Sequence, residues 1–227
     1  MSKNVATHVR EYGGLLEVPE KKALFWLARK TPRWINSDHL TVLGLASMLI
    51  AGAAYLIAAE NQWALILVVI ALAANWLGDS LDGTLARYRG CQRPRYGYYV
   101  DHVIDLIGVT ALLGGLGFSG YMSREIAFAL LAAFALVEAE VFLATHVQHV
   151  FRLSRFRVGP TEMRVVLGLG TLYLFHDPWV YVGGKGPYLL FDIGGIVAIA
   201  GLLIALMYSA IRNTRSLYLA EPLSGRG

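Results

Sequence analysis

The sequence has few charged residues and almost no cysteine. Of its 227 residues, 16% are Asp, Glu, Lys or Arg, whereas 56% are hydrophobic, and the mean hydropathy is +0.51. This balance excludes an ordinary soluble domain, in which about a quarter of the residues are charged. The single Cys91 excludes an intrachain disulfide. The first 30 residues carry charges throughout and lack an apolar run, so no cleaved secretory signal is expected.

Long apolar runs fill most of the remaining chain. A membrane-spanning helix needs about 20 mostly apolar residues. The stretches that meet this condition are residues 39–60, 63–86, 97–118, 124–150, 162–182 and 188–211. We therefore predict an all-α, polytopic membrane protein with six transmembrane helices. Small residues recur within these stretches, among them Gly44, Gly52, Gly115 and Gly201, and predict close helix packing.

The segment before the first span predicts a short amphipathic helix. Residues 19–30 place Leu24, Phe25 and Trp26 beside lysines and arginines, and Pro19 suits a first helical turn. We expect this helix to lie in the membrane interface. The predicted organisation is an N-terminal cytoplasmic segment over residues 1–36, a six-helix membrane domain over 37–213, and a loose cytoplasmic tail over 214–227.

Positive charge is distributed unevenly across this topology. All Lys and Arg residues except Arg124 and Lys185 fall before the first span, after the sixth, or at the 2–3 and 4–5 connections. The positive-inside rule makes this side, with both termini, cytoplasmic. Membrane topology and attraction to anionic lipid head groups explain where the basic residues fall. Their arrangement gives no indication of nucleic acid binding.

Four aspartates interrupt the apolar chain around the junction of the second and third spans: Asp79, Asp82, Asp101 and Asp105. A charge at the centre of a lipid-exposed helix costs roughly 2.5–3.5 kcal/mol. Spacings of three and four place each pair on one helix face, and a rise of about 1.5 Å per residue puts all four near the cytoplasmic membrane edge. Gathered carboxylates repel one another unless a cation joins them. Their hard oxygen ligands favour magnesium, manganese or calcium.

The residues beside this acidic group indicate phosphate chemistry. Gly83 and Ala86 leave the helix surface bare around Asp82, so a bulky ligand can approach the backbone. Arg87 offers a planar guanidinium for phosphate oxygens. Carboxylates that hold metal, next to such an arginine, favour phosphoryl transfer from a nucleotide or diphosphate.

This stretch resembles the signature of the CDP-alcohol phosphotransferase family, D-x2-D-G-x2-A-R followed by G-x3-D-x3-D. The matching positions are Asp79, Asp82, Gly83, Ala86, Arg87, Gly97, Asp101 and Asp105. Six spans with an N-terminal interfacial helix are also similar to that family. The resemblance implies an enzyme of phospholipid biosynthesis that transfers the phospho-alcohol part of a CDP-linked donor to an acceptor hydroxyl and releases CMP.

The resemblance also implies roles for individual residues. It implies a site for Mg²⁺ or Mn²⁺, with two ions, at Asp79, Asp82, Asp101 and Asp105, and a general base at Asp105. It implies a homodimer. The CDP-binding positions that it implies are Asp79, Gly83, Ala86, Arg87 and Gly97.

Polar residues on and after the fourth span predict an acceptor pocket. They are Glu138, His146, His149, Arg152, Arg155, Glu162 and Arg164. Interhelical hydrogen bonds or a dimer contact could equally explain the fourth-span residues, and Glu162 and Arg164 could simply pair at a helix start. We interpret His102, between two of the aspartates, as structural.

The direction of transfer stays open at this point. We prefer CDP-diacylglycerol as the donor and a polar alcohol as the acceptor, because the chain is compact and basic residues surround the predicted site. The alternative is transfer from CDP-choline or CDP-ethanolamine to diacylglycerol, since residues 159–164 are similar to a segment of eukaryotic choline and ethanolamine phosphotransferases. Remoter alternatives are an intramembrane prenyltransferase, suggested by Asn75-x3-Asp79, and a cation carrier.

Overall fold

The computed structural model describes residues 17–148 and 159–221. Within these ranges the chain forms seven α-helices and one two-stranded hairpin. In chain order the elements are α1 (Glu17–Lys30), α2 (Ser37–Ala58), α3 (Ala64–Tyr88), α4 (Pro94–Phe118), α5 (Arg124–Gln148), α6 (Pro160–Tyr173), β1 (Trp179–Val182), β2 (Lys185–Leu189) and α7 (Leu190–Ala220).

Helices α2, α3, α4, α5 and α7 are long and apolar enough to cross a membrane. Four of them agree closely with predicted spans, because uninterrupted apolar runs end there at polar connections. The predicted helical membrane class is therefore confirmed. Helix α7 is longer than predicted, and the expectation of a loose tail is wrong for residues 214–220, which continue this helix.

The fifth predicted span is wrong in its second half. Helix α6 ends at Tyr173, and Trp179–Val182 pairs with Lys185–Leu189 as an antiparallel hairpin. Gly183 and Gly184 have φ values of 59° and 75°, the left-handed conformation that a tight hairpin turn requires. A 14-residue helix is about 21 Å long, shorter than the roughly 30 Å of bilayer hydrocarbon. The six-span count is thus not confirmed by helix length.

Helix α6 nevertheless runs along the bundle from one end to the other. Near its start, Arg164 contacts Asp79 on α3. Further along, the Thr171 hydroxyl lies 2.6 Å from the buried Tyr55 hydroxyl of α2. Just past its end, the Leu174 carbonyl accepts a hydrogen bond of 3.0 Å from Gln62, in the connection between α2 and α3.

Helix α2 lies directly against α3 and α4 because glycines occupy the crossing points. A Cβ on Gly78 would lie 2.6 Å from the Leu40 carbonyl oxygen, and one on Gly115 would lie 2.0 Å from that of Gly52. A side chain at either position would collide with the α2 backbone, so the helices can approach this closely only at glycine. The predicted close packing is therefore confirmed at these positions. At Gly201, in contrast, an added Cβ would meet open space.

Helix α1 covers the segment predicted as an N-terminal helix and packs on α2 and α3, while its interfacial position stays a prediction. Its Leu24 and Ala28 are buried with Leu40, Leu81 and Leu85, whereas Phe25 and Trp26 are exposed. Arg89, just after α3, donates to the carbonyl oxygens of Thr31, Pro32 and Ile35. This guanidinium satisfies the carbonyl groups between α1 and α2 and ties that connection to the end of α3.

Candidate active site

The four aspartates line two adjoining cavities between α2, α3 and α4. Asp79 and Asp105 line the first, and Asp82 and Asp101 line the second. Thr41 of α2 belongs to both, and its hydroxyl donates a hydrogen bond of 2.8 Å to Asp82 Oδ2. The structure thus brings the four carboxylates together, as their spacing predicted, while their chemical roles stay predictions.

The aspartates differ in how accessible they are. Asp82 is buried, Asp79 and Asp101 are half-buried, and Asp105 is exposed. Asp82 is held beneath the surface by Thr41, since the hydroxyl satisfies one of its oxygens. Asp105 therefore has the largest exposed fraction of the four aspartates.

Arg164 links helix α6 to this group. Its Nη2 donates to Asp79 Oδ2 at 2.6 Å, and its Nε donates to Asn75 Oδ1 at 2.7 Å. Asn75 is buried and in turn donates to the Gly44 carbonyl at 3.0 Å. The guanidinium therefore balances the charge of Asp79, and a chain of contacts runs from α6 through α3 to α2.

The second cavity contains most of the positions predicted to bind CDP. Gly83, Ala86 and Gly97 line it together with Asp82 and Asp101. These small residues leave space next to the backbone. Two further lining residues, Asp38 and Arg93, form an ion pair with each other.

Arg87 is placed differently from the other positions of the predicted CDP site. Its side chain is exposed and donates to the Thr84 hydroxyl at 3.0 Å. A Cβ built on Gly83 would lie 3.3 Å from the Arg87 guanidinium, which therefore lies folded back along α3. In this conformation Arg87 does not line the second cavity.

The carboxylates fit a hard divalent cation in their chemistry, but their present arrangement does not form a ready ligand set. Among residues 17–148 and 159–221, no set of three or more His, Cys, Asp and Glu side chains stands in an arrangement ready to hold an ion. The four aspartates do supply only oxygen donors, the ligands that Mg²⁺ and Mn²⁺ prefer. Asp79, Asp101 and Asp82 also lie near enough to interact electrostatically, as do Asp79 and Asp105.

The predicted acceptor pocket is only partly assembled. Glu138 of α5 is half-buried and near enough to Asp105 to interact with it electrostatically, and Arg164 reaches Asp79. His146 is exposed near the end of α5. Glu162 accepts a hydrogen bond of 2.9 Å from the Gly159 amide, which caps α6. The remaining predicted members, His149, Arg152 and Arg155, lie outside the described residues.

Glu140 and His102 contact other side chains of the helix bundle. Glu140, on the opposite face of α5 from Glu138, accepts hydrogen bonds from Ser209 and Asn213 of α7 at 2.8 Å and 2.7 Å. The His102 ring lies 4.2 Å from the Tyr98 ring and 5.2 Å from the Phe142 ring, measured between centroids. Glu140 thus forms interhelical hydrogen bonds, and the ring contacts agree with the structural interpretation of His102.

Sequence reasoning missed Thr41 and considered Asn75 only for the prenyltransferase alternative. Thr41 is one hydroxyl in an ordinary apolar helix, and nothing in its local sequence marks it. Asn75 lies one turn before Asp79, so its position on the same helix face was the signal that could have identified it.

Comparison with known proteins assigns the chain to a family. The model of the family described as CDP-alcohol phosphatidyltransferase matches residues 34–210, which include all four aspartates. The chain belongs to the CDP-alcohol phosphatidyltransferase family. It is thus a membrane transferase of phospholipid biosynthesis, and the prenyltransferase and cation-carrier alternatives are wrong.

A solved structure supports the fold of this family member. The chain is similar to the crystal structure of Mycobacterium tuberculosis phosphatidylinositol phosphate synthase (PgsA1) with CDP-DAG bound, with a TM-score of 0.57 and 18% sequence identity. The similarity covers 87% of this chain and 94% of the other. None of the curated proteins compared with the chain matches it.

Proposed function

We propose that this protein transfers a phosphatidyl group from CDP-diacylglycerol to the hydroxyl of a polar alcohol and releases CMP. The observation that carries the proposal is the gathering of the four signature aspartates around two cavities that share Thr41. Carboxylates gathered beside a cavity that exposes the helix backbone suit a reaction on a nucleotide-linked donor. The related structure with CDP-DAG bound supports a CDP-linked lipid as the donor.

The second cavity is the proposed CDP site. Gly83, Ala86 and Gly97 allow a nucleotide to approach the backbones of α3 and α4. Asp79 would contribute from the neighbouring cavity, and Arg87 would turn from Thr84 toward the diphosphate. The planar guanidinium is suited to bind two phosphate oxygens at once.

Asp79, Asp82, Asp101 and Asp105 are the residues that would hold Mg²⁺ or Mn²⁺, with two ions in the site. When bound, such ions neutralise the diphosphate and stabilise the charge of the departing CMP. The protein itself orients these carboxylates. Thr41 fixes Asp82, and Arg164 fixes Asp79.

Asp105 is the proposed general base. Its exposed carboxylate accepts the proton of the acceptor hydroxyl. The acceptor oxygen bonds to the phosphatidyl phosphorus while the bond between that phosphorus and the CMP oxygen breaks. Glu138 lies near Asp105 and Arg164 contacts Asp79, so the acceptor would approach Asp105 from the side of α5 and α6.

The membrane arrangement completes the proposal. Helix α6 together with the segment after it would form the fifth of six crossings, since it runs from the level of Asp79 to the level of Gln62. Both termini and the aspartates would face the cytoplasm, where most of the Lys and Arg residues fall. Helix α1 would lie in the interface with Phe25 and Trp26 toward lipid. The active unit would be a homodimer.

A second candidate is transfer from CDP-choline or CDP-ethanolamine to diacylglycerol. The observation that favours it is the start of α6. Gly159, Glu162 and Arg164 belong to the segment that is similar to eukaryotic choline and ethanolamine phosphotransferases, and Arg164 contacts Asp79. The two candidates differ in which substrate carries the CMP.

The test offers purified protein two radiolabelled donors in separate reactions, CDP-diacylglycerol and CDP-ethanolamine. Each donor is combined with inositol phosphate, glycerol phosphate, serine or diacylglycerol, and released CMP is measured. Acceptor-dependent CMP release from CDP-diacylglycerol is the expected result. Release only from CDP-ethanolamine with diacylglycerol would replace the first proposal by the second, and release from neither donor would contradict both.

A further inference from the structure

Glu20 of α1 joins three helices through a single carboxylate oxygen. Its Oε1 accepts hydrogen bonds from Trp76 Nε1 at 2.8 Å and Ser80 Oγ at 3.3 Å, both on α3. It also accepts one from Thr161 Oγ1 at 2.8 Å, in the first turn of α6. Glu20 is half-buried. A charged acceptor shared by three donors is a strong positional restraint.

The contacts of Glu20 lie one helical turn from the Arg164 contacts. Thr161 and Arg164 are three residues apart, so they share one face of α6, and Trp76 precedes Asp79 by three residues on α3. Along α6, Thr161 is therefore held by Glu20, and Arg164 next holds Asp79 and Asn75. The Glu20 carboxylate also lies at the N-terminus of α6, where the helix dipole favours a negative charge.

From this arrangement we infer that Glu20 is a positioning residue for the transferase site. It fixes the first turn of α6 on α3 and thereby places the Arg164 guanidinium against Asp79. Glu20 itself lies on the interfacial helix and has no role in the reaction chemistry. This inference rests on the proposed function for its kinetic test, but its structural test is independent of any substrate.

The structural test is hydrogen–deuterium exchange over residues 159–165 in the purified full-length protein. Glu20→Ala removes the shared acceptor, so exchange in the first turn of α6 should become faster. Glu20→Gln keeps a carbonyl oxygen at the same place and should leave exchange close to that of the wild type. Lys22→Ala, an exposed position on the same helix, is the matched control. Unchanged exchange in Glu20→Ala would overturn the inference whatever reaction the protein catalyses.

The kinetic test is a double-mutant cycle on CMP release. Because misplacement of a site group by about 1 Å can cost up to 100-fold in rate, we expect Glu20→Ala to lower turnover roughly tenfold and Glu20→Gln to recover most of it. If Glu20 acts through Arg164, Glu20→Ala should add little in an Arg164→Ala background. Equal losses in both backgrounds would contradict the inference.

A second variant covers the case in which Glu20→Ala fails to fold. Thr161→Val removes only the donor on α6 and leaves the contacts of Glu20 with Trp76 and Ser80. It should reproduce the faster exchange and the loss of turnover, and normal behaviour in both measurements would overturn the inference. If the wild type releases CMP from neither donor, the proposed function fails, whereas the exchange experiment still decides the role of Glu20.

Discussion

Helices α2, α3 and α4 form a tightly packed half of the molecule, whereas α5 and α7 form an open half. The most apolar stretches of α2 and α3 are 39% and 44% buried, against 11% for those of α5 and α7. The packed half contains the glycine crossings and all four aspartates. In the open half, Glu140 bonds to α7 on the side away from the site. The signature aspartates thus lie where backbones approach most closely, and neighbouring helices there shield Asp82 in particular from lipid.

Removing divalent metal should have the largest effect on activity. The ions should bind only in the packed half, where the four aspartates lie. We expect chelation to reduce CMP release to background and added Mg²⁺ or Mn²⁺ to restore it, because the aspartates supply oxygen ligands for a hard cation. The same additions should raise the thermal midpoint of the wild type but not of Asp101→Asn. Full activity after exhaustive chelation would refute the metal proposal.

Asp105→Asn should lower turnover by about 10²–10⁴-fold, the usual contribution of a general base. The amide cannot accept the acceptor proton, yet it has nearly the same shape, so the fold should persist. Glu125→Gln, an exposed position at the start of α5, is a control in the open half and should retain wild-type turnover. Near-normal CMP release by Asp105→Asn would remove Asp105 as the base.

Gly115→Ala should destabilise the packed half by about 1–3 kcal/mol, because the new methyl group would meet the Gly52 carbonyl oxygen and force α2 and α4 apart. The adjacent Gly114→Ala is the matched control, since a Cβ there meets open space. It should be neutral or stabilising by up to about 1 kcal/mol. Thermal unfolding in detergent measures both, and equal midpoints would contradict the backbone contact.

Glu140→Ala should have the smallest effect. It removes the hydrogen bonds from Ser209 and Asn213, which we expect to contribute about 0.6–2 kcal/mol to helix association. Turnover at a temperature well below unfolding should be unchanged, because Glu140 faces α7. A large loss of turnover without loss of stability would show that the open half contributes to the reaction. It would contradict the contrast between the two halves.

Much of this architecture was predictable from sequence, for identifiable reasons. Apolar runs longer than 20 residues predicted α2 to α5. The spacing of the aspartates predicted that they lie at one depth in the membrane. The hairpin was missed because the apolar Trp179–Val182 was assigned to the span, although Asp177-Pro178 before it and Gly183-Gly184 after it are turn signals. A continuous apolar run this short does not by its periodicity distinguish a strand from a buried helix segment.

The residues that support the site were less predictable. Thr41 contacts Asp82 across 41 positions of sequence, and Thr161 contacts Glu20 across 141. No local periodicity reports such pairs, because they depend on how helices cross. The acceptor-pocket prediction shows the same limit. Arg164 and Glu138 lie near the aspartates, whereas Glu162 caps the start of α6.

The glycine crossings of α2 have a consequence for how the protein tolerates different bilayers. A helix bundle adapts to a thicker or thinner membrane by tilting its members. Gly78 and Gly115 press α3 and α4 against the α2 backbone, so these three cannot tilt separately without a steric collision. We therefore expect adjustment to lipid length to fall mainly on α5 and α7, with little change in the distances among the aspartates.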